Sequence, residues 1–213
     1  MNVLAVGAHW DDIELGCSLS LRRLIKNGAN VWGVILTDSH YVMKDGYERT
    51  EAEALDVGLR AFAEIGIKYI ETEKLPTQTM VYSQPTMQEL EEICNQKNIE
   101  MVFTHWFGDH NTDHRETWEI SRVAFRNIPN LLMYQSNAYF DNIKTFVPHH
   151  FCGFTKEEYD FKIHLAQMNK REWEYRKVRW EREIFARERY WGYLCRYDYA
   201  EAFMICRMVN KIG

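Results

Sequence analysis

The stretch Asn2-Val3-Leu4-Ala5-Val6-Gly7-Ala8-His9-Trp10-Asp11-Asp12-Ile13-Glu14-Leu15-Gly16-Cys17 decides the fold. Val3 to Val6 form a short apolar run of the kind that fills a sheet covered on both faces. One imidazole and three carboxylates then fall between His9 and Glu14, where a strand gives way to a helix. Charged side chains at such a mouth are costly to hold together without a cation. A second stretch has the same layout: apolar 101–104 runs into His105-Trp106-Phe107-Gly108-Asp109-His110-Asn111-Thr112-Asp113-His114. Together the two clusters read as a metal site.

Apolar strands and amphipathic helices alternate along the rest of the chain, the signature of an α/β domain with a mostly parallel sheet. Strands are expected at 2–7, 30–36, 68–71, 101–104, 130–134 and 202–207. Helices are expected at 13–27, 49–65, 85–97 and 113–126, with one long charged helix over 155–189. Loops fill 38–47, 75–84 and 136–153, the last long enough to form a lid or specificity wall. No repeat or low-complexity linker interrupts residues 1–213, so the expectation is a single-domain, Rossmann-like α/β fold with helices on both faces of the sheet. In such open sheets ligands bind at the carboxyl ends of strands where the winding reverses, between the first and fourth strands of a 3-2-1-4-5 order. Both polar clusters follow those two strands.

Composition excludes several classes. A net charge of −5 argues against a nucleic-acid or anionic-membrane partner. Nothing approaches the ~18 apolar residues of a membrane span, and no N-terminal stretch resembles a secretory signal. Five widely spaced cysteines, an odd number, do not suggest a disulfide framework, so a cytoplasmic location is expected. A dinucleotide site is disfavoured, because the first turn is acidic and lacks Gly-x-Gly-x-x-Gly.

His9 and Asp12, three apart at a turn into a helix, can face one ion, and His114 would complete a His-Asp-His set. Three protein ligands with an open fourth position is the usual arrangement of catalytic zinc, though iron(II) or another divalent metal suits the same donors. Asp11 is left over as a carboxylate placed to act as general base. Helix capping would explain one of the aspartates but neither the histidine nor the partner cluster.

Ala8-His9-x-Asp11-Asp12-x-Glu14-x-Gly16 after the first strand, with Asp109-x-Asn111-x-Asp113-His114-Arg115 after the fourth, resembles the LmbE/PIG-L-like zinc-dependent N-deacetylases. Leu36-Thr37-Asp38, Arg49 with Glu53, Thr104-His105 and Tyr199-Ala200-Glu201-Ala202-Phe203 are similar to further landmarks of that family. The resemblance implies zinc on His9, Asp12 and His114, with Asp11 as base. It implies removal of acetyl from a small-molecule N-acetylglucosamine-type amino sugar or conjugate, and a homo-oligomer such as a trimer or hexamer. Two other readings stay open: an amidase for thiol or natural-product conjugates, and a catalytically silent sugar- or metal-binding member.

Three positions depart from the family pattern. Trp10 replaces its usual proline, which would place an indole at the site mouth. Ser18-Leu19-Ser20 replaces Gly-Gly-Thr at the helix start. Asn111 stands where many members have a histidine that stabilises the oxyanion. Asn111 either holds the oxyanion through its amide or orients the loop, and His105 or His110 could share the task. Asp113 reads as an orienting partner and Glu14 as support. Asp38 and Arg49 are candidates for sugar hydroxyls or phosphate, and His149 and His150 for substrate contacts from the long loop.

Overall fold

The computed structural model describes residues 1–137 and 144–209. Its strands in chain order are β1 (Asn2–Gly7), β2 (Asn30–Ile35), β3 (Tyr41–Val42), β4 (Glu48–Arg49), β5 (Lys68–Tyr69), β6 (Met101–His105), β7 (Asn130–Tyr134), β8 (His150–Phe154) and β9 (Tyr199–Arg207). Seven of them build one sheet in the order β5-β2-β1-β6-β7-β9-β8, while β3 and β4 pair as a separate hairpin. The first five in that order run parallel, and β9 is antiparallel to both β7 and β8. Strand alternation divides the core between the two faces. Val3 and Ala5 of β1 join Ile35, Phe62 and Phe103 on one side, whereas Leu4 and Val6 join Val34, Leu90 and Val102 on the other.

The helices are α1 (Asp12–Gly16), α2 (Ser18–Lys26), α3 (Glu51–Ile65), α4 (Gln84–Lys97), α5 (Thr112–Ala124), α6 (Lys156–Met168), α7 (Lys170–Arg179) and α8 (Ala186–Cys195), with a π-helical segment at Trp180–Phe185. Thr50 and Thr155 start α3 and α6 with reciprocal capping boxes to Glu53 and Glu158. None of the described helices is long and apolar enough to cross a membrane.

Two expected helices are broken, each for a visible reason. The helix over 13–27 divides at Cys17, because α1 presses Gly16 against the ring of Tyr134. A β-carbon there would lie 2.2 Å from Tyr134 Cδ2. The start of α2 is then capped at long range, with Glu201 of β9 accepting the Leu19 and Ser20 backbone N–H groups at 3.0 and 2.8 Å. The helix over 155–189 divides at Asn169 and again at the π-helical segment. Trp180 is buried there against Leu15, Ala166 and Ile184, with Trp173 beside it. The supposed loops 38–47 and 136–153 carry most of the hairpin and most of β8, and 138–143 lie outside the described residues.

Fully buried Lys162 locks the C-terminal helices to the sheet. Its Nζ donates to Glu188 of α8 at 2.8 Å and to Glu201 of β9 at 2.9 Å. Tyr159 donates to the same Glu188.

Candidate active site

The parallel order of β2, β1, β6 and β7 makes the carboxyl ends of β1 and β6 neighbours, and the two polar clusters meet there in a cleft of about 380 Å³. His9, Asp11, Asp12, Asn111, Asp113 and His114 line it, together with Arg49 and His110.

His9 Nδ1, an Asp12 carboxylate oxygen and His114 Nε2 converge. His9 Nδ1 is 3.3 Å from Asp12 Oδ2, His114 Nε2 is 3.1 Å from Asp12 Oδ1, and the two ring nitrogens are 3.3 Å apart. The Asp12 distances are to its two different oxygens, and each separation is near the roughly 3.3 Å between donors around an ion with bonds of about 2.0 Å, so the donor set fits a divalent ion such as zinc. Both far imidazole nitrogens are backed by carboxylates. His9 Nε2 bonds Asp113 Oδ2 at 2.8 Å, and His114 Nδ1 lies 3.1 Å from Asp109 Oδ2. Such backing fixes ring orientation and raises ligand basicity.

The same carboxylates set the electrostatics. Burial acts to lower the His9 pKa, yet Asp113 and Asp12 carry it up to about 8. His114 is likewise raised against burial by Asp12 and Asp109, while burial of Asp12 is overcome by His114 and His105, which hold its carboxyl well below the usual range. The field therefore favours positive charge between these side chains, which a metal ion can supply in place of protons.

His105, Asp109 and His114 also lie within ligand distance of one another. They do not make a second site. The His105 and His114 rings stack at 3.9 Å and 18°, so their in-plane lone pairs run side by side rather than toward one point. The His9 and His114 rings are tilted by 50°, which lets theirs converge.

Asp11 is the N-cap residue of α1, yet its side chain makes no capping bond. Its backbone sits at φ 131°, ψ −21°, a region that residues with side chains rarely adopt. Arg49 of β4 holds it in place, with Nη1 3.3 Å from Asp11 Oδ2 and Nη2 donating to the Trp10 carbonyl at 2.5 Å. Burial pushes the Asp11 carboxyl up to about 6 against the pull of Arg49. Asn111 is the N-cap of α5, and its Oδ1 accepts the Asp113 backbone N–H at 2.8 Å. That bond fixes the amide so that Nδ2, a pure donor, is the group left for the cleft.

Five candidates lie elsewhere. Trp10 is not at the mouth: its indole is buried against Phe62 and Tyr69, in space left by the absent side chain of Gly58. His105 is not a substrate contact. It is fully buried beneath His114, with Nε2 accepting the Ala8 N–H at 3.1 Å, and burial with neighbouring His114 keeps its pKa down at about 4. Asp38 accepts from Thr77 and pins the loop that carries Thr77 and Gln78 into the cleft. His149 and His150 sit at the β8 edge, where His149 Nδ1 accepts the Ile205 N–H and His150 Nε2 is 3.5 Å from Cys152 Sγ. Sequence reasoning missed Tyr41, Gln78, Asn137, Arg176 and Trp180 as cleft residues. Arg176 lies in a run rich in arginine and glutamate that reads as one long helix packing Trp173 and Trp180 on the body or a neighbouring subunit.

Residues 4–125 match the family described as PIG-L: GlcNAc-PI de-N-acetylase. The chain is 32% identical over 171 residues to the uncharacterized deacetylase YaiS of Escherichia coli strain K12, covering 79% of this chain and 89% of that one. Among solved structures it resembles the N,N'-diacetylchitobiose deacetylase of Pyrococcus horikoshii, with TM-score 0.79 and 18% identity over 96% of this chain and 83% of that one. It also resembles GalB, the 4-carboxy-2-hydroxymuconate hydratase of Pseudomonas putida KT2440, with TM-score 0.76 and 16% identity over 100% and 99% of the two chains. One fold thus carries two named reactions, and the sequence matches decide the family: the chain belongs to the PIG-L deacetylase family.

Proposed function

We propose that the chain hydrolyses the N-acetyl amide of an N-acetylglucosamine-type sugar or sugar conjugate, with zinc held by His9, Asp12 and His114. The observation that carries this reading is Asp11, whose uncapped carboxylate lines the same cleft as that triad. Zinc bound there would supply a Lewis acid that polarises the amide carbonyl and lowers the pKa of water. Asp11 takes the proton of the attacking water and returns it to the leaving nitrogen, giving acetate and the free amine. Arg49 keeps the Asp11 carboxylate aimed, and Asn111 Nδ2 donates to the oxyanion. Asp113 and Asp109 hold the two ligand histidines in place. In this reading residues 1–213 act as one cytoplasmic domain; a seven-stranded sheet that includes both β1 and β9 supports the single domain.

Acetate release from N-acetylglucosamine derivatives by zinc-loaded protein tests the reaction. Asp11→Asn should lower turnover by roughly 10²–10⁴-fold, the range for a general base, with zinc content unchanged by elemental analysis, while His114→Ala should lose the metal. A wild-type rate in Asp11→Asn overturns the base assignment. Sugar binding without acetate release by the wild type would instead favour a silent member of the fold.

A further inference from the structure

We propose that Arg176 makes this cleft selective for acetamido sugars that carry an acidic group, a carboxylate or a phosphate, beyond the amide. The proposal rests on the deacetylase reading above and names its substrate class. Arg176 lies on α7, on the wall of the cleft rather than in the two polar clusters that follow β1 and β6.

The charge distribution in the cleft points to an anion. Its three lining carboxylates, Asp11, Asp12 and Asp113, all lie on the floor, and each already faces Arg49 or the histidines. Above them, no carboxylate lines the cleft among the described residues. Arg49 is buried and occupied by Asp11 and the Trp10 carbonyl. Arg176 is different, with a side chain 23% exposed. It is close enough to Asp11 to feel that charge.

Its orientation is fixed before any ligand arrives. Nε donates to Glu172 Oε2 at 2.5 Å and Nη2 donates to the Tyr41 hydroxyl at 2.9 Å. Glu172 is itself fully buried and also accepts from the hydroxyls of Tyr41 in β3 and Tyr47 just before β4. The Nε–Nη2 edge of the guanidinium is therefore occupied on the protein side. Nη1 makes no hydrogen bond within the described residues, which leaves the Nη1–Nη2 end for a ligand. That fork matches the two oxygens of a carboxylate or phosphate. Because Glu172 is inside and Arg176 outside, the cleft meets the cation of the pair.

The test compares acetate release from methyl N-acetylglucosaminide, N-acetylglucosamine 1-phosphate and N-acetylmuramic acid. The wild type should prefer at least one acidic probe in kcat/KM, and which one separates phosphate from carboxylate. Arg176→Gln should cut that preference by roughly 10–100-fold, mainly through KM, as expected for a charge-assisted pair. Arg176→Lys should fall between. Glu172→Ala should reduce the same preference by releasing Arg176, with Glu172→Gln less affected. Equal kcat/KM for all probes in the wild type, or an equal loss on all probes in Arg176→Gln, overturns the proposal and leaves deacetylation standing. Should no probe release acetate, the deacetylase reading fails, and calorimetric binding of the same probes decides. Tighter binding of an acidic probe that Arg176→Gln abolishes supports the subsite; equal binding overturns it.

Discussion

Gly58→Ala sets a helix preference against a packing clash, and the structure says which wins. Gly58 sits in the middle of α3, where alanine is ordinarily worth about 1 kcal/mol of helix stability over glycine. A β-carbon at this position would stand 1.9 Å from Trp10 Cε3, 2.4 Å from Cδ2 and 2.7 Å from Cζ3. Those atoms belong to a rigid fused ring, only 2% exposed, with Phe62 and Tyr69 each 5.1 Å away, so the ring cannot step aside alone. Overpacking of this kind costs typically 1–3 kcal/mol, and an overlap this deep belongs at the upper end. The net effect is a loss of about 1–2 kcal/mol, or roughly 2–8 °C in Tm for a domain of this size. Trp10 precedes Asp11 directly, so turnover should fall as well. Thermal melts of a double-mutant cycle isolate the clash: in a Trp10→Leu background, Gly58→Ala should become neutral or stabilising by up to about 1 kcal/mol. A single Gly58→Ala variant melting at or above wild type would refute the reasoning.

Two further outcomes follow from buried charge. Lys162→Met leaves Glu201 without its cation and Glu188 with only the more distant Arg187 guanidinium at 3.7 Å, which should cost about 3–5 kcal/mol and be read in denaturant unfolding; an unchanged midpoint would contradict the ionised cluster. Burial pushes the Lys74 ammonium down to about 8. Between that value and an unfolded pKa of about 10.4 the unfolded chain binds more protons, so Lys74 makes stability rise with pH across this window. Lys74→Met should flatten the rise, and identical pH dependence of Tm from 8 to 10 in both proteins would exclude it.

Four parallel strands were legible because each is a short apolar run ended by a polar turn: β1 and β7 have the limits their sequences suggest, and β2 and β6 differ at one end by a single residue, whereas β5, expected over 68–71, is only Lys68–Tyr69. The break at Cys17 was not, since it depends on contacts from Tyr134 and Glu201, far away in sequence, and the break at Asn169 carries no glycine or proline to mark it. The cleft floor was readable for a related reason: its residues fall in two compact clusters beside strand ends. Its walls come from a hairpin and from α7, where tyrosines, arginines and glutamates carry no periodic mark of facing inward. The side-chain direction of Trp10 was equally hidden, because a glycine on another element determines it.

The backbone angle at Asp11 has a consequence for how such a site persists. A non-glycine residue held there costs on the order of 1–3 kcal/mol, and the surrounding hydrogen bonds from Arg49 keep it in place. Glycine would adopt the same turn without that cost. Folding and turnover thus pull in opposite directions at one position: the sequence most comfortable with the turn has no carboxylate. Asp11→Gly would therefore remove the proposed base while relieving the turn, leaving a well-folded cleft that still holds its ligands.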